Sequence, residues 1–312
     1  MTEQASIKRK KGASPTISML FCIILTLIML PLGGELQSAV VKGMSLAALK
    51  IIPTVFPFMV LSDFWISSAE IKDNSPVAKA FEKLFKMNAC ALTALLSGAL
   101  CGFPLGVKSA VGLYRQGAIK KDELSRLSAI VNLPSPAFVI SGVGVGLLGD
   151  IKVGVLLYLS VLISSLIIGF ISSLKKEKSY NSALISRQSF DLTASVRDAG
   201  ISSLAIASYI IFFSAVTGLV SAIIKNGAIV AIISTLLEVG NATSAIVNCS
   251  AFSRSIVLVL IAFALGFSGL SVHLQAFSFL QKEISRRNYL LTKLLIGLLS
   301  ATIIFPFAFF AK

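Results

Sequence analysis

Long apolar runs alternate with short polar joints along the whole chain. The runs cover 16–34, 39–68, 89–113, 124–148, 151–174, 200–224, 227–250, 255–281 and 289–311. A helix crossing a hydrocarbon core of about 30 Å needs about 20 apolar residues, so these runs read as membrane-embedded helices. A transmembrane β-barrel would instead show stretches of about 10 residues alternating apolar and polar. The runs here are continuous and rich in Leu, Ile, Ala and Val. The pattern predicts an all-α polytopic membrane protein. Composition agrees: of 312 residues, 55% are hydrophobic and only 13% charged, and the mean hydropathy is +0.89. A soluble domain carries about 25% charged residues, so this chain could not cover its own surface with polar groups.

The polar joints are mostly basic. Lys8-Arg9-Lys10-Lys11, Lys83 and Lys86, Lys120-Lys121, Lys175-Lys176 and Arg286-Arg287 account for much of the formal net charge of +14. Bases beside membrane helices fix topology and face anionic lipid, which explains them better than nucleic-acid binding. The segment 1–38 reads as a basic N-terminus followed by a retained first span. Pro31-Leu32-Gly33-Gly34-Glu35 offers no small-x-small cleavage signal, although a signal peptide would look similar. Residues 78–86 read as a short amphipathic helix at the interface. The stretch 175–199 is a polar, Ser-rich linker with cytoplasmic character. It separates a first repeat over 39–174 from a second over 200–312.

The two parts resemble each other. Ser97-Gly98-Ala99-Leu100-Cys101-Gly102-Phe103-Pro104-Leu105 aligns with Ala264-Leu265-Gly266-Phe267-Ser268-Gly269-Leu270-Ser271-Val272, which also aligns the basic tails at Arg115–Lys120 and Lys282–Arg287. Each half then carries a re-entrant hairpin and Pro- or Gly-broken helices, and such paired broken segments are the sequence pointer to a transporter site. In this register, inverted repeats put Lys282–Arg287 outside, against the positive-inside tendency. A full crossing by 227–250 would return that tail inside and make the repeats parallel. The inverted arrangement is favoured because it builds one shared site at mid-membrane.

Candidate chemistry sits at the breaks. In Gly98–Lys108, Pro104 and the glycines permit a tight reversal, with the tip near Gly102–Gly106. Irregular backbone at membrane depth survives only inside protein or along a cavity. Pro104, Gly106 and Lys108 are therefore candidate solute contacts. Asn132-Leu133-Pro134-Ser135-Pro136 frees backbone carbonyls and adds the polar groups of Asn132 and Ser135. In the second half Ser268, Ser271, His273 and Gln275 gather two hydroxyls, an imidazole and an amide within eight residues. Glu238, with Asn241 close behind it, sits in an apolar run and needs a cation, a proton or a basic partner such as Lys108. The structural alternatives are a kinked, glycine-packed span, a snorkelling Lys108, a simple proline kink, a hydrogen-bonded core histidine and an interfacial acid.

Other chemistries are excluded or lack support. Cys22, Cys90, Cys101 and Cys249 lie in apolar runs without paired spacing, so they read as free thiols. One histidine leaves too few soft ligands for a closed metal site, and no cofactor is implied. Gly144-Val145-Gly146-Leu147-Leu148-Gly149 fits a dinucleotide fingerprint but has no βαβ context. No P-loop, zinc-protease motif or nucleophile elbow is present, and no nucleophile is assembled with a base. The reading is non-enzymatic: a small-molecule solute and the bilayer are the partners, nucleic acid is not, and self-association stays open.

At these motifs the chain resembles the sporulation integral membrane proteins of the YlbJ type, within the wider group carrying nucleoside-recognition, or Gate, domains. The resemblance rests on Ile52-Pro53-Thr54-Val55-Phe56-Pro57-Phe58, Cys101–Lys108, Asn132–Pro136, Leu237-Glu238-Val239 and Gly266–Gln275, and covers roughly residues 40–310. Family members tend to have Tyr-Pro-Met where this chain has Phe103-Pro104-Leu105, and Trp where it has Phe267. The resemblance implies a plan similar to concentrative nucleoside transporters, with two hairpins and two unwound helices. It implies a place in the cell membrane of a spore-forming bacterium, specifically the forespore membrane, and transport of dipicolinate. The Gate name suggests nucleosides instead. A non-transporting assembly protein of the sporulation apparatus is the alternative from another class.

Overall fold

Every regular element among the described residues of the computed structural model is helical. The described residues are 19–20, 23–24, 26–27, 29–68, 75–174, 176 and 190–310. The basic N-terminus, most of the expected first span with Cys22, and most of the linker lie outside them.

Helix α1 (Gly33–Leu46) runs through a π-helical stretch (Ala47–Ile51) into α2 (Ile52–Ser68). The amphipathic helix expected over 78–86 is present as α3 (Pro76–Phe85). The Ser75 hydroxyl accepts from the Ala78 amide at 3.1 Å, and the face carrying Ala78, Phe81 and Phe85 is buried. Arg126 closes its far end by donating to the Phe85 and Lys86 carbonyls at 2.8 and 3.1 Å.

Next come two short helices, α4 (Ala91–Cys101) and α5 (Leu105–Arg115), folded back against each other. At 1.5 Å per residue each arm is about 16 Å long, too short to cross a bilayer alone. The turn needs Gly102, whose φ of +85° is closed to most side chains. Ser109 Oγ donates to Ser97 Oγ at 3.0 Å across the two arms. A broken helix follows: α6 (Lys121–Ile130), an irregular stretch through Pro136, then a π-helical stretch (Ala137–Val145). The half ends on α7 (Ile151–Ser173), capped by the Asp150 carboxylate.

The second half is helical as well. The 32-residue α8 (Leu192–Ile223) leads into α9 (Gly227–Leu237) and α10 (Val239–Val247), which also fold back on each other, around Glu238. A second broken helix follows, α11 (Arg254–Phe267) and α12 (Gly269–Leu280), and then the long α13 (Arg286–Phe310). The sequence alignment placed the second fold-back at Gly266–Ser271. The structure corrects this, since α11 and α12 do not pack side by side and their break belongs to a helix that continues onward. The physical reason lies in the joints. Ser268 (φ 77°) and Gly269 (φ 75°) interrupt hydrogen bonding without returning the chain, whereas Glu238 is extended (φ −152°, ψ 125°) and starts a new helix in a new direction.

The ends of the molecule follow from these turns. Tyr114 Oη donates to Glu283 at 3.3 Å and Lys121 lies 3.7 Å from the same carboxylate, so the two basic joints share one end. Lys176 reaches Asp122 at 2.8 Å at that end too. At the opposite end Leu148 and Phe252 pack on the same apolar cluster, and Ser255 donates to the Ala308 carbonyl at 2.7 Å. Among the described residues, four segments are long and apolar enough to cross a membrane: Ile151–Ser173, Leu192–Ile223, Arg254–Leu280 and Arg286–Phe309. Their outward faces carry exposed Ile163, Ile167, Phe170, Leu291, Leu295 and Leu298, a surface fit for lipid rather than water. This is an integral membrane protein.

Candidate functional site

The first break can be derived from its prolines. In a continuous helix the residue-134 amide would donate to the Ile130 carbonyl and the residue-136 amide to Asn132, but proline has no N–H. Both freed carbonyls find side-chain donors instead. Ser165 Oγ on α7 donates to Ile130 at 2.6 Å, and Lys293 Nζ on α13 donates to Asn132 at 2.8 Å. The Val131 carbonyl accepts from the Leu133 amide at 3.0 Å. That carbonyl also faces Gly98 and Gly106, and a Cβ at either glycine would collide with it. The glycines of the first fold-back are thus the seat of the unwound segment, and Gly102 at its tip lies against the Ser135 backbone.

The second half has the matching contact. A Cβ on Gly269 would lie 3.2 Å from the Glu238 amide nitrogen and from the Leu237 carbonyl. Each fold-back tip therefore rests on the break of the helix that follows it. Glu238 is no free carboxylate: Oε1 accepts from the Gly240 amide at 2.9 Å and Oε2 from the Asn241 amide at 2.6 Å. It is the N-cap of α10, a position where an anion complements the helix terminus.

Between the two tips lies a cavity of about 200 Å³. Cys101 and Phe103 line it from the first tip, Ser135 and Phe138 from the first break, Glu238 and Gly240 from the second tip, and Gln275 from α12. Leu46, Val55, Ile206 and Ile210 close it from the α1–α2 and α8 side. A second hollow of about 890 Å³ adjoins it and is polar, with Glu35, Lys42, Thr217, Lys225, Asn241 and Asn248 on its walls. Gly240 faces the cavity and Asn241 the hollow. Asn241 Nδ2 donates to Ser214 Oγ at 3.1 Å, and Ser214 presses on Gly43, so these three groups stand between the two spaces.

Of the residues named from sequence, Ser135, Glu238 and Gln275 line the cavity and Asn241 lines the hollow. Gln275 Nε2 donates to Ser271 Oγ at 3.3 Å, and Ser268 Oγ to the Leu265 carbonyl at 3.1 Å, so both serines are buried behind the wall. Pro104 and Gly106 belong to the tip and its seat. Lys108 is half-buried on α5 and is not among the lining residues. Phe103 and Phe138, unnamed from sequence, supply aromatic surface.

Asn132 and His273 belong to a different group, completed by two residues that sequence reasoning missed. Asn132 Nδ2 donates to Tyr289 Oη at 2.6 Å, and the His273 ring meets Tyr289 edge to face at 5.6 Å. With Lys293 these four side chains are buried together where α6, α12 and α13 meet. No carboxylate among the described residues pairs with Lys293. A cation at membrane depth costs on the order of 2.5–3.5 kcal/mol on insertion scales, so its retention calls for a role. The signal was present: Lys293 is a lone base inside an apolar run, and two prolines leave carbonyls that need donors.

Two pairs of fold-back helices that meet at broken helices around one cavity define a polytopic membrane protein with an internal cavity between the tips. Among known proteins, the chain is similar to the sporulation integral membrane protein YlbJ of Bacillus subtilis (strain 168). The two are 25% identical over 128 residues, 41% of this chain and 31% of that protein. The chain thus matches about a third of the relative's length. No family model matches the chain, and no solved structure does.

Proposed function

We propose that the chain is a secondary transporter or facilitator that moves a small polar solute through the central cavity by alternating access. One observation carries this: two fold-back tips from the two halves face each other across a single cavity, each seated on a broken helix. An assembly factor has no need for such a chamber, whereas unwound segments and helix termini at membrane depth are what transporters use to hold a solute. The chain carries no catalytic assembly in this reading.

The two halves act as inverted repeats in a register shifted from the sequence alignment. The first fold-back pairs with α9–α10 and the first broken helix with α11–α12. The joints 116–120 and 248–253 then correspond and lie at opposite ends. Both basic joints stay at one end, so inversion and the positive-inside tendency no longer conflict. Single cysteines at Lys120 and Arg286 should therefore label from the same side, and one at Ser250 from the other.

The solute implied by the family resemblance is dipicolinate, an anionic aromatic dicarboxylate, moved across a forespore membrane. Phe103 and Phe138 suit its ring, and Ser135 and Gln275 suit its carboxylates. A second reading, a neutral nucleoside, is favoured by one feature: among the described residues the lining holds Glu238 but no Lys or Arg. Purified protein in liposomes tests both. The dipicolinate reading expects saturable uptake of labelled dipicolinate that Lys108→Gln weakens through the loss of long-range charge. Nucleoside uptake indifferent to Lys108→Gln and damaged by Glu238→Gln selects the second. No uptake of either, with folding verified, sinks the transport reading and leaves the assembly role.

A further inference from the structure

The buried group of Asn132, His273, Tyr289 and Lys293 adjoins the cavity, yet none of its side chains lines it. Its hydrogen-bonding capacity is largely unfilled. Lys293 uses one donor, on the Asn132 carbonyl. Among the described residues, both ring nitrogens of His273 and Oδ1 of Asn132 have no hydrogen-bond partner. At Ile130 the equivalent freed carbonyl is satisfied by a serine hydroxyl. A neutral donor is therefore enough for the structural task, and the chain has placed an amine where a hydroxyl would serve. The property that distinguishes the amine is that it can take up and release a proton.

Among the described residues, the neighbours leave that proton uncompensated. On α6, Asp122 pairs with Arg126 and Lys176, Glu123 accepts from the Asn88 and Lys120 amides, and Lys121 meets Glu283. On α7, Tyr158 donates to the Ala99 carbonyl, and Lys152 is exposed at the opposite end. Arg254 starts α11 at that opposite end as well. Of the elements around α12, α5 brings the half-buried Lys108, and the α9–α10 joint brings Glu238, already bound by two amides. α8 brings Arg197 and Asp198, which pair with each other, and the half-buried Tyr209. That leaves Tyr289, one turn before Lys293 on α13 and edge to face with the His273 ring at 5.6 Å.

We propose that Lys293, with His273 beside it, is a proton-binding site that couples solute movement to a pH gradient. The proposal rests on the transport reading. The protonated amine grips the Asn132 carbonyl; the neutral amine, whose lone pair has taken the place of the proton, grips it less. Asn132 is three residues before Ser135 on the same unwound segment, and Ser135 lines the cavity. Proton occupancy thus biases the segment that touches the solute, and a site with different proton affinity in two arrangements shifts the balance between them.

His273 is the only histidine in the chain, which supplies a built-in reporter. The full chain is labelled with nitrogen-15 in histidine alone, purified by a histidine-free tag, and placed in lipid nanodiscs. The single imidazole signal should shift in a step as pH is taken across the neutral range. Lys293→Gln should remove the step. Lys293→Arg should remove it as well while keeping a donor for the Asn132 carbonyl, which covers the case in which Lys293→Gln does not fold. A wild-type signal that does not move, or a step that persists in the folded variants, overturns the proposal. In liposomes, a one-unit pH gradient should concentrate solute up to about tenfold with one proton per solute. Lys293→Arg should lose that accumulation and keep solute counterflow. Accumulation that survives in Lys293→Arg, or that follows a sodium gradient instead, also overturns it. Failure of the transport reading looks different: the wild type would give no counterflow, and the coupling proposal would fall with it.

Discussion

In the first half the helix is broken by Pro134 and Pro136; in the second, by Ser268 and Gly269, both at positive φ. Proline removes amides and strands carbonyls, so the first break draws in distant donors, Ser165 from α7 and Lys293 from α13. The second break keeps its amides, as with Ser268 N–H on the Ala264 carbonyl at 2.7 Å, and recruits only the local Ser268 hydroxyl. The fold-back tips differ in the same sense. The first is a glycine–proline turn without charge, and the second is a carboxylate closed by two amides of its own helix. The break is satisfied over long range in one half and locally in the other. Disturbing the first half should therefore be felt far away, and disturbing the second should stay local.

The sharpest way to break this comparison is a side chain at the glycine seat. Gly106→Val drives a Cβ into the Val131 carbonyl, and should cost more than about 3 kcal/mol or prevent folding. Its counterpart Gly240→Ala meets only the ends of the Glu238 and Leu46 side chains, at 3.2 to 3.5 Å. It should stay within about 1 kcal/mol of the parent. Thermal unfolding in detergent, followed by size-exclusion chromatography, separates the two, and equal damage would deny the asymmetry.

A smaller effect is expected at the donors. Ser165→Ala strands the Ile130 carbonyl and should cost about 1–3 kcal/mol, while Ser268→Gly, which relieves a positive φ, should change stability by less than about 1 kcal/mol. Smaller again is the cap. Glu238→Ala should cost about 1 kcal/mol, and Glu238→Gln less, because an amide oxygen still accepts. An effect of Glu238→Gln as large as that of the alanine would mean that the charge itself matters. These four variants are compared by the same melting assay.

The smallest effect concerns the basic end. Partial burial pushes the Asp122 carboxyl up, but the hydrogen bond and charge of Lys176 and the charge of Arg126 outweigh it and hold the group below the usual carboxylate range. Its folded value lies below its unfolded one, so its contribution is present above the ordinary carboxylate range and is lost as pH falls through the folded value. The carboxyl is half exposed and screened, so the gain is slight. Asp122→Asn should flatten the acid side of the melting-temperature profile slightly and leave neutral pH almost unchanged. No change in the acid limb would remove the pair from the account.

Much of the architecture was legible because it follows from solvent. Apolar runs, basic joints, the amphipathic stretch near 78–86 and the proline break at 132–136 are decided by what a hydrocarbon core, a lipid surface and a missing N–H allow. The tip at Gly102 was readable for the same reason, since few residues other than glycine reach its φ. Three of the named site residues, Ser135, Glu238 and Gln275, do face one cavity, because a polar group in an apolar run must find polar company somewhere.

Where that company lies was decided only by tertiary structure. The alignment matched glycines with glycines and so placed the second fold-back at Gly269, but a reversal depends on which faces of two helices can pack, and Glu238 makes it instead. Lys293, a lone base in an apolar run, was not among the residues named from sequence. Its meaning appears only once α13 lies along the first break, 161 positions away in sequence from the carbonyl it holds. Local sequence fixes which backbone groups lose their partners; the long-range packing of helices from the two halves fixes which side chains replace them.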